Sequence, residues 1–249
     1  MLLPKEYSEK TWERGGSNPL HKQYIGKPMI SWSQVEMFRK SKGLIQGLTG
    51  QQEYFLKYFT NVDTTPNWMP PFGDFGTEVE DYICFRGSED KFNAAEKSKL
   101  ETIEPLGVFQ EEVIIDYTDF ILLGFIDDRS PETKDNFIEI IRDYKTKSES
   151  GKKDLLSPDK LQLPLYAGAL QLKGYKIGKL EYVIVERLGG GKIMRGGSRL
   201  DLTVGDRVWY ENYPLNKNIV QEAMNIVEST AREISEYFEI YLKLTNEER

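Results

Sequence analysis

The chain has 249 residues, 39% hydrophobic and 12% aromatic, enough for a packed core and too apolar for disorder, with a formal net charge of −7. No run approaches the roughly 18 apolar residues of a membrane span, and the opening MLLPKEYSEK has neither a basic leader nor a hydrophobic segment, so the chain reads as cytoplasmic. The single cysteine, Cys84, excludes an internal disulfide framework and cannot alone hold an iron–sulfur cluster or structural zinc, so any metal would be bound by oxygen; the single histidine, His21, reads as a surface residue and makes a catalytic triad improbable.

Residues 1–30 carry Gly15, Gly16, Pro19, Gly26 and Pro28 without periodicity and read as an extended N-terminal arm or an irregular cap. SWSQVEMFRK, from Ser31, begins like a capping box with Ser33 three residues before Glu36, and QQEYFLKYF, 51–59, has aromatics at helical spacing; both predict helices. TTPNWMPPFGDFG, 64–76, reads as a loop leading into the helix TEVEDYICF, which carries Glu80. A charged helical segment over 91–101 follows. EEVIIDYTDFILLGFIDD, 111–128, is two apolar runs broken near Asp119, a hairpin signature whose second strand ends at Asp127.

After the polar loop RSPETKDN comes IEIIRDYKTKS, 138–148, a third strand. Residues two apart on a strand share a face, so Asp143 and Lys145 stand side by side while Tyr144 points the other way. For an isolated D-x-K triplet a strand-end ion pair is the commoner outcome; a functional reading needs a second acid. Next, SPDKLQLPLYAGALQLKGY has Ser157 and Pro158 as cap and first-turn candidates, with Pro164 marking a kink or the true helix start. KLEYVIVER is a further strand, followed by the glycine-rich loop LGGGKIMRGGSR, a polar or edge strand RLDLTV, and a long helix from about Asn216 to Leu244. The helix, three strands, helix, strand order predicts a mixed sheet covered on both faces.

If the two apolar strands pair, Asp127 and Asp143 converge with Lys145 alongside. Two carboxylates at one point repel unless a cation sits between them. Oxygen ligation suits magnesium, with manganese able to substitute, and a neighbouring lysine can orient a metal-bound water: an arrangement suited to phosphodiester hydrolysis.

G-F-I-D-D at 124–128, R-D-Y-K-T at 142–146 and Q-L-P-L-Y at 162–166 resemble, in order and spacing, the motifs of the PD-(D/E)XK nuclease superfamily, in particular its RecB-like and phage-type exonuclease branch. The resemblance covers roughly residues 30–186 and includes the S-x-S start of the helix at Ser31. It implies a restriction-endonuclease-like α/β core (αβββαβ) at about 74–186 within a single domain over 31–249, with a C-terminal hairpin and helix over 187–249. It implies a magnesium-dependent nuclease acting on DNA, in recombination, repair or phage DNA processing, within a bacterial cell or phage-infected host. Asp127, Asp143 and Lys145 would be catalytic, and Asp127, Asp143 and the Tyr144 carbonyl would hold the metal. Gln162 and Tyr166, four apart on one helical face, would contact DNA; alternatively Tyr166 is a helix residue packed on the sheet. The branch usually has a histidine where FGTEVEDYI has Glu80; related phage-type exonucleases use an acid there, which makes Glu80 a third metal ligand or, alternatively, a solvent-facing glutamate. The four-cysteine iron–sulfur clamp of some relatives is ruled out.

The loop over 188–200 contains Lys192, Arg195 and Arg199 and no acid, so it is a candidate DNA-contacting flap or a solvated hairpin connection; it lacks the Walker pattern. Arg39, Lys40 and Lys42 extend a basic path or form an exposed helix end. A helicase or recombination protein is a further partner the family setting suggests. A structure-selective or nicking endonuclease is the enzymatic alternative, and a non-cleaving DNA- or helicase-binding module the other, though such a module has no use for a costly cluster of buried charge.

Overall fold

The computed structural model describes residues 23–24, 27–43, 72–156, 160–189 and 202–247. The helix expected over 51–59, His21, the cap candidates Ser157 and Pro158, and the loop residues Lys192, Arg195 and Arg199 lie outside them.

Six strands form one mixed sheet. After β1 (Met29–Ser31) and α1 (Trp32–Ser41) come α2 (Phe72–Phe85), α3 (Ala94–Leu100), the strands β2 (Val108–Asp116), β3 (Ile121–Arg129) and β4 (Phe137–Lys147), then α4 (Gln162–Leu172), β5 (Lys176–Gly189), β6 (Leu202–Tyr213) and α5 (Lys217–Glu247). β2, β3 and β4 are successively antiparallel, β4 and β5 are parallel through the α4 crossover, and β6 closes an edge antiparallel to β5. The expected α/β architecture, a mixed sheet between helical layers, is what the structure shows.

Each face has its own core. On one, α1, α4 and α5 pack on Val113, Ile115, Leu122, Leu180 and Ile184; on the other, α2 and α3 pack on Tyr144, Val183, Val185 and Val204. All residues from Leu163 to Leu170 of α4 are buried, as required of a helix between a sheet and another helix. α5 supplies the outer seam through Val220, Ala223, Val227, Ala231 and Ile234, spaced three and four apart. Gly168 permits the close approach: a Cβ there would lie 2.6 Å from Met224 Sδ. No described helix is long and apolar enough to cross a membrane.

Several boundaries differ from expectation. Met29 and Ile30, read as the end of an arm, pair in parallel with Ile121 and Leu122 of β3. Ser31, not Ser33, caps α1, accepting from the Gln34 N–H at 3.3 Å; Ser33 bonds the Ser31 hydroxyl, and Glu36 pairs with Lys160 instead of closing a box. α2 begins five residues before the predicted Thr77, because buried Phe75 continues the apolar stripe of Val79, Tyr82 and Ile83. Pro164 is the third helical residue of α4, where the missing N–H has no intrahelical partner to lose, so it marks a start and not a kink. β6 runs through Tyr213, well past the expected Val204.

Candidate active site

The site arises from a split in the sheet. β2 occupies one edge of β3, and the other edge is shared: β1 pairs with Ile121, Leu122 and Leu123, and β4 pairs only with Asp128 and Arg129. Residues 124–127 on that edge have no strand partner among the described residues. Beyond the bridged pair Asp128↔Arg142 the two strands part, and Asp127 and Asp143 face each other across the start of the gap.

The hydrogen bond from Ser130 N–H to the Ile140 carbonyl fixes the ladder's alternation, so its continuation would run from Tyr144 N–H to Ile126. The Tyr144 N–H instead donates to Asp127 Oδ2 at 2.9 Å. A side chain thus satisfies the backbone where the strands diverge. Since the N–H and carbonyl of a strand residue point to the same neighbour, the Tyr144 carbonyl also faces the split.

Asp143 and Lys145 lie beside Tyr182 and Ile184 of β5, which belong to the core under α4; Tyr144 lies beside Val183, in the core under α2. The alternation expected from sequence therefore holds. Asp143 is 1% exposed, and among the described residues neither of its oxygens has a well-formed hydrogen bond, although the Lys145 ammonium forms an ion pair with Oδ2. Burial pushes the Asp143 carboxyl up, opposed by Lys145 and Asp127. Asp127 is raised well above the usual carboxylate range by burial and then by Asp143. Burial works against the charge of Lys145, but Asp143 and Asp127 outweigh it and hold the ammonium protonated.

Glu80 projects from α2 and is partly buried; its carboxylate accepts from the Gln110 amide of β2, so it is not a solvent-facing glutamate. Burial and then Asp143 push its pKa up to about 7. Among the described residues no three acidic, histidine or cysteine side chains converge on a single cation position. Asp127 and Asp143 do converge, as a crowded and under-solvated pair with oxygen donors only. That donor set fits a small hard divalent cation, which would relieve their repulsion and give the Asp143 oxygens a partner.

On the α4 side, Gln162 Nε2 donates to Tyr166 Oη at 3.2 Å. Tyr166 is 3% exposed and its ring lies on Gly124, where a Cβ would sit 2.5 Å from Cε1. Burial raises its phenol, and Asp143 and Asp127 act in the same direction. Tyr166 is therefore a packed wall of the split, and half-buried Gln162 is the member of the pair nearer solvent. The basic residues at the end of α1 do not form an open path: Lys40 pairs with Glu36 at 3.1 Å, Lys42, just past the helix, pairs with Glu233, and Arg39 is buried.

A buried polar network that was not anticipated supports the split from behind. Asp128, adjacent to Asp127 and fully buried, accepts from Leu106 N–H at 2.8 Å, Gly107 N–H at 3.1 Å and Tyr144 Oη at 2.7 Å. Arg142 donates to Glu181 through Nε at 2.9 Å and Nη2 at 2.7 Å, and to the Glu104 carbonyl at 2.8 Å. Strand alternation alone separates the two aspartates of the D-D pair; nothing in the sequence marked Arg142 and Glu181 as partners.

No family model and no curated protein matches the chain. Among solved structures, it superposes on a candidate exonuclease from Eubacterium rectale with a TM-score of 0.50 at 16% identity, over 91% of this chain and 87% of that one. At that identity the likeness speaks for the fold. An alkaline exonuclease from Laribacter hongkongensis superposes over 88% of this chain and 94% of that one, at 12% identity and a TM-score of 0.43, too loose a match to weigh.

Proposed function

We propose that the chain is a magnesium-dependent deoxyribonuclease, hydrolysing DNA phosphodiester bonds as a RecB-like exonuclease. The observation that carries this reading is the meeting, at a split between two strands, of Asp127 and Asp143 with the Lys145 ammonium, against a buried Asp143 carboxylate that has no well-formed hydrogen bond among the described residues. Such a buried cluster costs stability, and a fold that needed only to bind would be better served by apolar residues. The fold shared with a candidate exonuclease accommodates this reading, and the choice between exonucleolytic and endonucleolytic modes rests on the substrates that are cut.

Asp127 and Asp143 would hold the cation, with the Tyr144 carbonyl facing the same opening and Glu80 a further acid that interacts electrostatically with both. Bound magnesium supplies Lewis-acid polarisation of the phosphoryl group and a more acidic attacking water. Lys145, kept charged by the two aspartates, stabilises negative charge developing on the phosphate and orients the water that attacks it. The Tyr166 wall narrows the split and excludes solvent, and Gln162 beside it faces the incoming strand. Asp128 and the Arg142–Glu181 pair hold the strands that carry the aspartates.

The test is cleavage of linear, circular, single- and double-stranded DNA, and of RNA, with magnesium and with excess chelator. Activity on free DNA ends that requires the metal and vanishes in Asp143→Asn, with the fold retained, is the expected result. Undiminished cleavage by that variant in chelator would refute the mechanism, and cutting of closed circles would replace the exonuclease reading by the endonuclease one.

A further inference from the structure

We infer that Gln110 is a positioning residue for the cation site, holding the Glu80 carboxylate from β2 and kept in a strained backbone conformation for that purpose. This rests on the cation-binding reading of Asp127 and Asp143 and deepens it.

β2 pairs with β3 on both sides of Gln110, at Phe109↔Asp128 and Glu111↔Ile126, so Gln110 lies opposite Asp127. Its φ is +48°, in the left-handed region. Three other described non-glycine residues have positive φ, Arg86, Ser88 and Asn136, and all three lie in turns between elements; Gln110 lies within a strand. The distortion therefore occurs at the point of β2 that flanks a site aspartate, where strain held by the surrounding fold marks a functional constraint.

Backbone requirements do not explain glutamine. Glycine enters the left-handed region without penalty, and asparagine is the best tolerated of the other residues. What glutamine adds is reach: its amide crosses to α2 and donates to Glu80 Oε1. That bond engages one carboxylate oxygen, Oε1. It also removes rotameric freedom that a glutamate would otherwise lose on binding a cation, and a donor facing the carboxylate favours the ionised form a cation requires.

The experiment is calorimetric titration of magnesium into the full chain, alongside thermal denaturation in chelator. The proteins are the parent, Gln110→Asn, Gln110→Gly, Glu80→Gln and the double variant Gln110→Asn/Glu80→Gln. Asparagine is one methylene too short to span to Glu80 but suits the backbone. Both Gln110 variants should melt no lower than the parent, with glycine above it, yet bind magnesium roughly tenfold or more weakly. The double variant should bind no more weakly than Glu80→Gln alone, because Gln110 acts through Glu80. Parent protein that binds no magnesium would overturn the cation reading itself. Parent that binds, with Gln110 variants of unchanged affinity or with losses that add in the double variant, would overturn the role of Gln110 alone. A glycine variant melting below the parent would overturn the assignment of strain.

Discussion

Lys145 is about one-third exposed at 31%, whereas its partner Asp143 is 1% exposed, so the lysine can meet a substrate that the aspartate cannot reach. A role confined to the transition state predicts that Lys145→Ala leaves magnesium and DNA affinity nearly unchanged while single-turnover cleavage at saturating DNA slows roughly a hundredfold or more. If affinity falls and the saturated rate does not, the lysine is only a phosphate contact. Glu80 is judged by metal dependence instead. As a ligand, its replacement in Glu80→Gln should raise the magnesium needed for half-maximal activity about tenfold or more, since even the partners of metal ligands are worth 10–100-fold. Manganese, which tolerates nitrogen donors, should restore more activity to Glu80→His than to Glu80→Ala. Three variants that match the parent across a magnesium titration would remove Glu80 from the site.

The element that makes the site is β3, whose one edge is divided between β1 and β4, with residues 124–127 unpaired among the described residues. Gly124 begins that opening because the Tyr166 ring occupies the space a side chain would take. Gly124→Ala should therefore destabilise the fold by about 1–3 kcal/mol through overpacking, measured by denaturant titration, and Tyr166→Leu in the same chain should recover part of it. Additive losses in the double variant would show that the ring is not the obstacle. Much of this arrangement was legible in the sequence: apolar runs placed β2, β3 and β4, and period-two alternation put Asp143 beside Lys145. The split itself was not. β1 is three residues at the end of a stretch rich in glycine and proline, and half-pairing between β3 and β4 is a tertiary outcome with no compositional trace. The start of α2 was hidden by Gly73 and Gly76, which read as loop, and the far half of β6 by the exposed polar residues of an edge strand. Gln110 was invisible because a left-handed residue within a strand leaves no pattern, and its partner lies 30 positions away.

At the scale of the molecule, the acidic cluster sets stability against function. Burial and mutual repulsion raise Glu80 to about 7 from an ordinary 4.5, and Asp127 well above its usual range. Between these limits the folded chain binds more protons than the unfolded chain. The Glu80 contribution is therefore fully present below about 4.5 and is lost as pH rises through about 7, and the raised Asp127 acts in the same direction, opposite in sign to a carboxylate held by an ion pair. Glu36, next to Lys160 and Lys40, has a lowered value despite burial and acts in that other direction, losing stability only as pH falls into the acid range. The two windows are distinct. Metal-free protein should thus melt at progressively lower temperature from about pH 5.5 to 8, where Asp127→Asn should melt above the parent because it removes one repelling charge. Saturating magnesium should flatten the parent's slope by binding the deprotonated cluster, and its binding below pH 7 should release protons, read as a dependence of the calorimetric heat on buffer ionisation enthalpy. A parent profile flat across this range without metal, or magnesium binding with no proton release at pH 6, would mean that the carboxylates are already ionised and stabilised within the protein.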